Sequence, residues 1–398
     1  MTPASSSPRV ADFSGHLSGP LASHYLAELG ADVVKVENKT GGDGNRGVVP
    51  FIHGVGMIHV NCGPGVRSLA ADVRSPHWPD VVRACCQWAD VVIVGSRPRD
   101  AARRSLDFAS VSRHNPDVVY CAITGYGDVG PLRNRHAHGQ QMDALAGNVP
   151  VEWTDGQPRT PRGFRTAGTT AASMFAVMGI WAALFRRDHD LAGDGPRARI
   201  VDVSCWRAAM AWQWRDMTTL ANLGHAWTEY DEAGSRYAMY ATSDGRALLL
   251  CPLERHSWEA FCDLAGLEHL RARGDWSDNG MEWGIGPFFD DERRQIERRV
   301  LGRTLDEWTS LLAPTGVPFA PVLTREEALQ SEHARATDLL GHTTVGGRPA
   351  RFSRAGVTVQ RPDEDEAPLH LPPPPAIGEH TEQVLHEIGL GRLAGSFP

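Results

Sequence analysis

Residues 9–37, RVADFSGHLSGPLASHYLAELGADVVKVE, decide the fold of this 398-residue chain. Residues 9–13 are short and mostly apolar, as a buried strand is, and Ser18-Gly19-Pro20 then opens a helix whose apolar residues recur at helical spacing. Gly30 ends that helix, and residues 32–37 predict the next strand. A strand, a helix and a strand in this order favour parallel pairing, which is the repeating unit of an α/β sheet.

The same alternation continues, with further strands predicted at residues 69–72, 90–94 and 117–123. It predicts an α/β fold with a doubly wound, parallel sheet. Long helices are predicted at about residues 169–187 and 203–223. Residues 237 to about 318 have a strand and helices of their own and predict a second, smaller domain.

Composition excludes several classes of protein. Lys and Arg number 40 against 48 Asp and Glu, so the formal net charge is −8, which argues against a nucleic-acid binder. We find no uninterrupted apolar run approaching the roughly 18–20 residues of a membrane helix. Residues 1–8 lack the features of a signal peptide. The cysteines are scattered without a CxxC pair, so we expect reduced core thiols, no zinc site and a cytoplasmic protein.

Two local motifs resemble cofactor sites only in part. Gly125-Tyr-Gly-Asp-Val-Gly130 fits GxGxxG, but Pro131 and a polar run follow where a helix is needed, so we expect a turn and no nicotinamide. His136 and His138 are too few donors for a metal site, and no further ligand cluster is evident. His138 alone is a candidate for proton transfer, since imidazole titrates near neutral pH.

Two further sets of residues could bind anionic or carbonyl groups. Gly168-Thr169-Thr170 precede the long helix, where free N–H groups can hold a carbonyl oxygen or serve simply as an ordinary cap. Four basic residues follow predicted strands and so fall at one edge of the sheet, where a phosphorylated cofactor would dock, unless they are solvated surface. They are Lys39, Arg46, Arg97 and Arg103.

The order of motifs resembles the class III CoA-transferase family, which includes formyl-CoA transferase, carnitine CoA-transferase and 2-methylacyl-CoA racemase. The matching stretches run from residues 12–20 to the terminal Gly-Glu-His-Thr at residues 378–381. Between them lie residues 29–37 with 42, 43 and 46, then 89–92, 115–120, 125–131, 201–204 and 240–245. The likeness therefore covers nearly the whole chain.

This resemblance implies an interlocked homodimer that binds CoA as part of an acyl-CoA substrate. It implies a Rossmann-like large domain (residues 1–200 and 325–398), linker helices (201–230) and a small α+β domain (231–324). Positions matching the family's CoA contacts are His16, Asn38, Gly95-Ser96-Arg97 and Arg103.

The resemblance also shows where this chain departs from the family. The aspartate that forms the acyl anhydride in transferases, and relays a proton in racemases, matches Gly168. His138 matches the racemase histidine and Glu254 its glutamate partner. One base therefore remains, which predicts chemistry at the Cα proton of an acyl-CoA, as in a racemase or isomerase, with Thr169 and Thr170 near the thioester oxygen.

Two alternatives remain open. Asp143 lies one helical turn past Gly139 and could replace the lost carboxylate, which would restore CoA transfer between carboxylic acids. The chain could instead be a catalytically degenerate subunit that pairs with an active paralogue in a heteromer. The acyl group is only weakly indicated, as apolar or aromatic.

Overall fold

The computed structural model describes residues 7–189, 196–225, 234–276, 280–359 and 368–396. The chain divides into two compact units. The first is Met1–Trp214 together with Asp338–Pro398, and the second is Arg215–Thr337.

A parallel sheet forms the centre of the first unit, and its described part has six strands. The strands are β1 (Arg9–Asp12), β2 (Asp32–Glu37), β3 (Val66–Ala70), β4 (Val91–Val94), β5 (Val119–Thr124) and β6 (Arg199–Ser204). Their spatial order is β3-β2-β1-β4-β5-β6, which is the order of a doubly wound, dinucleotide-type sheet. The predicted Rossmann-like α/β fold is confirmed. In such a sheet, ligands bind at the carboxyl ends of the strands where the order reverses, here between β1 and β4.

Helices cover both faces of this sheet, which explains why β4 and β5 are buried along their whole length. One face packs on α1 and α7, and the other on α3, α5 and the C-terminal helix. The helices up to residue 212 are α1 (Ser18–Glu28), α2 (Met57–Cys62), α3 (Trp78–Trp88), α4 (Pro98–Arg103), α5 (Phe108–His114), α6 (Gln141–Leu145), α7 (Gly168–His189) and α8 (Cys205–Trp212).

The helix predicted over residues 203–223 begins later than expected and is divided. Residues 201–204, which we assigned to linker helices, are the end of strand β6. Ser204 stops the strand because its Oγ accepts the amide of Arg207 at 3.2 Å and so caps α8. A second helix, α9, follows at Trp214–Leu223. Residues 226–230 of the predicted linker and 231–233 of the predicted small domain lie outside the described residues.

Helix α7 corrects our expectation about apolar runs. Residues 168–185 carry no charged side chain, and by length and composition alone the helix is able to cross a membrane. Half of that apolar stretch is buried inside the protein, where α7 packs against α1, α8, β5 and β6. A central core helix has the same composition, and this packing accounts for the buried half of the stretch.

The second unit has an antiparallel sheet of β7 (Ala238–Ala241), β8 (Ala247–Leu250) and β9 (Phe319–Pro321), in that order. Its core holds a fully buried ion pair, Arg236 Nη2 to Glu292 Oε2 at 2.9 Å, and the guanidinium lies 3.9 Å from the ring centre of Trp258. Its further helices are α10 (Arg255–Ala265), α11 (Asp290–Val300), α12 (Leu305–Leu312), α13 (Arg325–Gln330) and α14 (Glu332–Ala336).

The C-terminal part returns to the first unit. A hairpin of β10 (Leu340–Val345) and β11 (Arg348–Ser353) packs on α2. Helix α15 (Thr381–Glu387) docks beside β3, where Thr381 Oγ1 accepts the amide of Ala70 at 3.0 Å. The large unit is therefore built from both ends of the chain.

Buried His24 predicts a loss of stability in mild acid. It lies in α1, its Nδ1 donates to the carbonyl of Pro64 at 3.1 Å, and burial lowers its pKa from 6.5 to about 4. The unfolded chain protonates His24 near pH 6.5 and the folded protein only near pH 4. The free energy of unfolding therefore decreases as the pH is lowered from 6.5 to 4, by up to about 3 kcal/mol. Urea unfolding from pH 7 to pH 4 should show a smaller fall for His24→Gln than for the unaltered protein. The exposed His136→Gln is the control, and an unchanged slope in His24→Gln would contradict the assignment.

Candidate active site

A buried charge cluster lies at the carboxyl ends of β1 and β2. The Lys35 ammonium is 3.3 Å from Asp12 Oδ2 and 3.0 Å from Asp43 Oδ2, and it donates to the carbonyl of Ser14 at 2.7 Å. Burial alone would lower the pKa of Lys35, but the two carboxylates outweigh it and raise the pKa. Burial likewise opposes ionisation of Asp43, yet Lys35 holds the pKa of Asp43 below its usual value. Lys35 and Asp43 are therefore charged at neutral pH.

Arg46 belongs to a second buried pair and not to the solvent. Its Nη2 lies 2.5 Å from Glu37 Oε1 and its Nε donates to Glu37 Oε2 at 2.9 Å. Its Nη1 donates to the carbonyl of Pro375 at 2.9 Å and lies 2.8 Å from His59 Nε2. Every nitrogen of the guanidinium is thus occupied within the fold, which assigns Arg46 a structural role before any role toward a phosphate.

Between these pairs and α3 lies a pocket of about 240 Å³. Two of the predicted CoA contacts, His16 and Asn38, line it together with Trp78, whose ring stands edge-on to Phe13 at 6.0 Å. The Asn38 Oδ1 accepts the amide of Thr40 at 2.9 Å, which shapes the loop after β2. The pocket lies at the carboxyl ends of β1 and β2, beside the point between β1 and β4 where the strand order reverses.

The remaining predicted CoA contacts follow β4, apart from exposed Lys39, which follows β2. Gly95 lies against β1's end, since a Cβ there would stand 3.0 Å from Ser14 Cβ. Half-buried Ser96 follows it, and Arg97 begins α4, where its Nε donates to Asp100 Oδ2 at 2.7 Å. Arg103 is exposed, with Nη1 3.7 Å from Asp100 Oδ1.

The structure brings His138 to His16. Their ring centroids are 6.0 Å apart with planes at 87°, and both side chains are exposed. The His138 amide donates to Gln141 Oε1 at 2.7 Å, which ties the loop after β5 to the start of α6. Glu254, its predicted partner, belongs to the second unit, where it precedes α10 and its Oε2 accepts Ser257 Oγ at 3.2 Å.

Asp143 is fully buried and caps α7. Its Oδ1 accepts the amides of Ala167 at 2.9 Å and Gly168 at 3.1 Å, and the side-chain amide of Asn148 at 3.1 Å. A carboxylate is favoured there because the first amides of a helix have no intrahelical partner and carry partial positive charge. Its Oδ2 has no hydrogen-bond partner among the described residues.

Gly168 is enclosed on several sides. A Cβ at this position would lie 2.7 Å from the carbonyl oxygen of Cys205, 3.1 Å from Ala209 Cβ and 3.2 Å from Asp143 Oδ2. The backbone of α8 therefore approaches α7 too closely for a side chain, and the carboxylate of Asp143 stands beside the empty position.

We predicted that the amides at the start of α7 hold the thioester oxygen. One of them is already occupied, because the amide of Gly168 donates a hydrogen bond to Asp143. Thr169 is buried, with Oγ1 3.5 Å from Thr166 Oγ1, and Thr170 is half-buried. The amides of these two threonines belong to the first turn, whose N–H groups lack intrahelical acceptors.

Sequence reasoning missed Asp12, Lys35 and Asp43 as site residues. One signal was present, because a lysine inside the apolar strand 32–37 must find buried partners. Among the described residues, no three His, Cys, Asp or Glu side chains converge as they would around a metal ion.

Comparison with known proteins extends these observations. The sequence model of CoA-transferase family III matches residues 6–381. The chain is 27% identical over 421 residues to a succinate–glutarate CoA-transferase of Agrobacterium fabrum, covering 96% of this chain and 94% of that protein. It is 25% identical over 387 residues to the human alpha-methylacyl-CoA racemase, covering 96% and 93%.

Among solved structures, a mutant of Rv3272 from Mycobacterium tuberculosis superposes with a TM-score of 0.79 at 22% identity, covering 95% of this chain and 97% of that one. At this identity the likeness concerns the fold. Both a transferase and a racemase thus match over nearly the whole chain.

The enclosure of Gly168 predicts that the position does not accept a side chain. Gly168→Ala should destabilise the protein by about 1–3 kcal/mol through overpacking, although alanine favours a helix. Gly168→Asp should cost more, because a second carboxylate would stand beside Asp143. Urea unfolding measures both, with Gly316→Ala, where nothing lies within 4 Å of the added Cβ, as the control. A Gly168→Asp protein as stable as the unaltered one would refute this reading.

Proposed function

The chain belongs to CoA-transferase family III, and from this premise we propose that it moves a proton at Cα of an acyl-CoA thioester, as a racemase or isomerase does. The family members that match include CoA-transferases and alpha-methylacyl-CoA racemases. We choose proton transfer over CoA transfer because of the residue at the start of α7. Gly168 offers no carboxylate for an acyl anhydride, while His138 is exposed at the same edge of the sheet as the pocket.

The chemistry follows from the thioester. Its carbonyl acidifies the Cα–H bond, and neutral His138 accepts that proton while the electron pair passes into the thioester as an enolate. Amides near Thr169 and Thr170 are suited to hold the enolate oxygen, because charge develops there as the proton leaves.

The substrate's CoA moiety is assigned to the pocket at the end of β1 and β2. His16 and Asn38 line it, and Trp78 offers an aromatic face. Exposed Lys39 and Arg103 are the cations assigned to the phosphates, since Arg46 is engaged within the fold. Arg97 reaches a phosphate only by giving up its contacts with Asp100 or Asn134. The predicted homodimer is supported by apolar side chains exposed on α7 and α8, namely Met174, Phe175, Met178, Phe185 and Trp212.

Deuterium exchange tests the role of His138. A panel of 2-methylacyl-CoA and arylacyl-CoA thioesters is incubated with the protein in heavy water, and mass spectrometry counts deuterium at Cα. The unaltered protein should incorporate one deuterium, and for the enantiomer whose Cα proton His138 removes, His138→Asn should lower the rate by about 10²–10⁴-fold through loss of the base. Exposed His136→Asn, two residues away, is the control. Undiminished exchange of both enantiomers in His138→Asn would rule out this assignment.

A second function, CoA transfer, is favoured by one specific observation. Asp143 Oδ2 lies 3.2 Å from the place where a side chain at position 168 would begin, and no described residue forms a hydrogen bond to it. In this reaction Oδ2 forms a bond to the acyl carbon, the carbon–sulfur bond breaks, and CoA leaves as its thiolate. Because Asp143 is fully buried, the acyl group reaches it only if the residues that cover it move.

Chemical trapping distinguishes this second function from the first. Hydroxylamine or borohydride added during turnover should modify Asp143, detected in its peptide by mass spectrometry. The modification should vanish in Asp143→Asn, which keeps the oxygen that caps α7. Exposed Asp155→Asn is the matched control. Deuterium exchange at Cα without any trapped acyl-enzyme contradicts CoA transfer. A protein that binds CoA but shows neither proton exchange nor CoA transfer is a degenerate subunit that needs an active paralogue.

A further inference from the structure

The imidazole rings of His16 and His138 meet, although the two residues are far apart in the sequence. The ring centroids lie 6.0 Å apart, with planes at 87°. His16 follows β1 and His138 lies in the loop after β5, so both belong to the carboxyl edge of one sheet. Both side chains are exposed, so a ligand at this edge can reach either ring.

The fold fixes His16 in a conformation that few side chains adopt. Its φ is 67°, in the left-handed region, where histidine, asparagine and aspartate are the side chains most often found. Its amide donates to Asp43 Oδ1 at 2.8 Å, and Asp43 is itself held by buried Lys35. The place of the ring is therefore set by the buried charge cluster behind it.

Because Gly44 has no side chain, the ring of His16 can lie against it. A Cβ at Gly44 would lie 3.1 Å from both Nδ1 and Cε1 of His16, so a larger residue would push the imidazole aside. The same ring forms part of the wall of the 240 Å³ pocket. His16 thus contacts both the pocket and His138.

Inverting a stereogenic carbon requires two acid–base groups, one that removes the proton and one that returns it on the opposite face. Position 168 cannot supply the second group, since glycine stands there in an enclosed site. Asp143 is fully buried, and its Oδ1 is bound to the amides of α7. His16 is a titratable side chain in direct ring contact with His138.

We propose that His16 is the second acid–base residue of this site, an inference that rests on the proposed Cα-proton chemistry. Neutral His138 removes the Cα proton: the C–H bond breaks, an N–H bond forms, and the electron pair enters the thioester as an enolate. Protonated His16 then breaks its own N–H bond and forms a C–H bond on the other face of the same carbon. Before and after the reaction one imidazole is neutral and the other is protonated. The two rings have exchanged these states, so the number of protons on the enzyme is unchanged.

The two rings have to move apart for this task. Near-attack distances of about 3–3.5 Å on each side of a carbon place the two nitrogens about 6–7 Å apart. The ring centroids lie 6.0 Å apart in an edge-to-face contact that leaves no room for a carbon, so rotation of the exposed side chains has to open the gap. A substrate with a hydrogen and a small branch at Cα, such as a 2-methylacyl-CoA, is the class that fits between two opposed imidazoles.

The test follows each enantiomer of the 2-methylacyl-CoA thioesters separately in heavy water, in the full-length protein. Deuterium at Cα is measured by mass spectrometry and interconversion by chiral chromatography. Asparagine accepts the left-handed φ of position 16, and His16→Asn keeps the hydrogen bond from the main-chain amide to Asp43, so it removes the imidazole alone. We expect it to lose interconversion by about 100-fold or more while still exchanging the enantiomer whose proton His138 removes. His138→Asn should exchange only the opposite enantiomer, and His136→Asn should behave as the unaltered protein.

Three results would overturn the inference. In the first, His16→Asn interconverts the enantiomers at the unaltered rate. In the second, it slows exchange of both enantiomers equally and only through KM, as loss of a CoA contact alone would do. In the third, the unaltered protein exchanges neither enantiomer; this outcome overturns the proposed function as well, which separates it from the first two.

A second variant guards against damage to the loop. Glycine also accepts the left-handed φ of position 16, and His16→Gly leaves a gap open to solvent. Added imidazole should restore interconversion in His16→Gly. It should leave the rate of interconversion unchanged in the unaltered protein and in His136→Asn. Failure of imidazole to restore any interconversion in a folded His16→Gly that still binds CoA would count against a proton-transfer role.

Discussion

The ammonium of Lys35, buried between Asp12 and Asp43, is the interaction on which the rest of the site depends. A charge removed from water is tolerated only when it is paired and hydrogen-bonded, so the chain has to bring both carboxylates to this point. Asp12 also accepts the amide of Ser14, and Asp43 accepts the amides of His16 and Asn45. The loops after β1 and β2 are thereby fixed by the same few atoms, and the pocket between them is largely formed before any ligand arrives.

The start of α7 shows a second constraint, in which backbone packing decides what chemistry is available. The carbonyl of Cys205 comes so close to Gly168 that no side chain can begin there. The helix amides still require an acceptor, and Asp143 provides one from a different element. A carboxylate is therefore present at this place, but one of its oxygens caps the helix, and the other has no hydrogen-bond partner in the described part of the chain.

These two constraints explain how one scaffold serves two reactions. Transferases and racemases match this chain over nearly its whole length, so the sheet and its pocket do not distinguish them. In the function we propose, the difference lies in the groups that surround the substrate carbon. Here the exposed groups are the imidazoles of His138 and His16, which carry protons readily, whereas the carboxylate of Asp143 is withdrawn into the protein.

The sequence by itself determined the α/β class, the order of the five sheet strands along the first 125 residues and the family, because hydrophobic periodicity and glycine positions are local properties of the chain. It missed the short helices α2 and α4. It placed the second long helix wrongly at residue 203, since an apolar strand followed at once by an apolar helix has no internal boundary except the cap at Ser204. It also treated Arg46 as a ligand for phosphate, because nothing nearby in the sequence identifies Glu37 and Pro375 as its partners. Only the tertiary structure decided that His16 meets His138, that Asp143 caps α7 and that Gly168 is enclosed. Each of these depends on atoms from distant segments meeting within a few ångströms, and a sequence pattern carries no information about such distances.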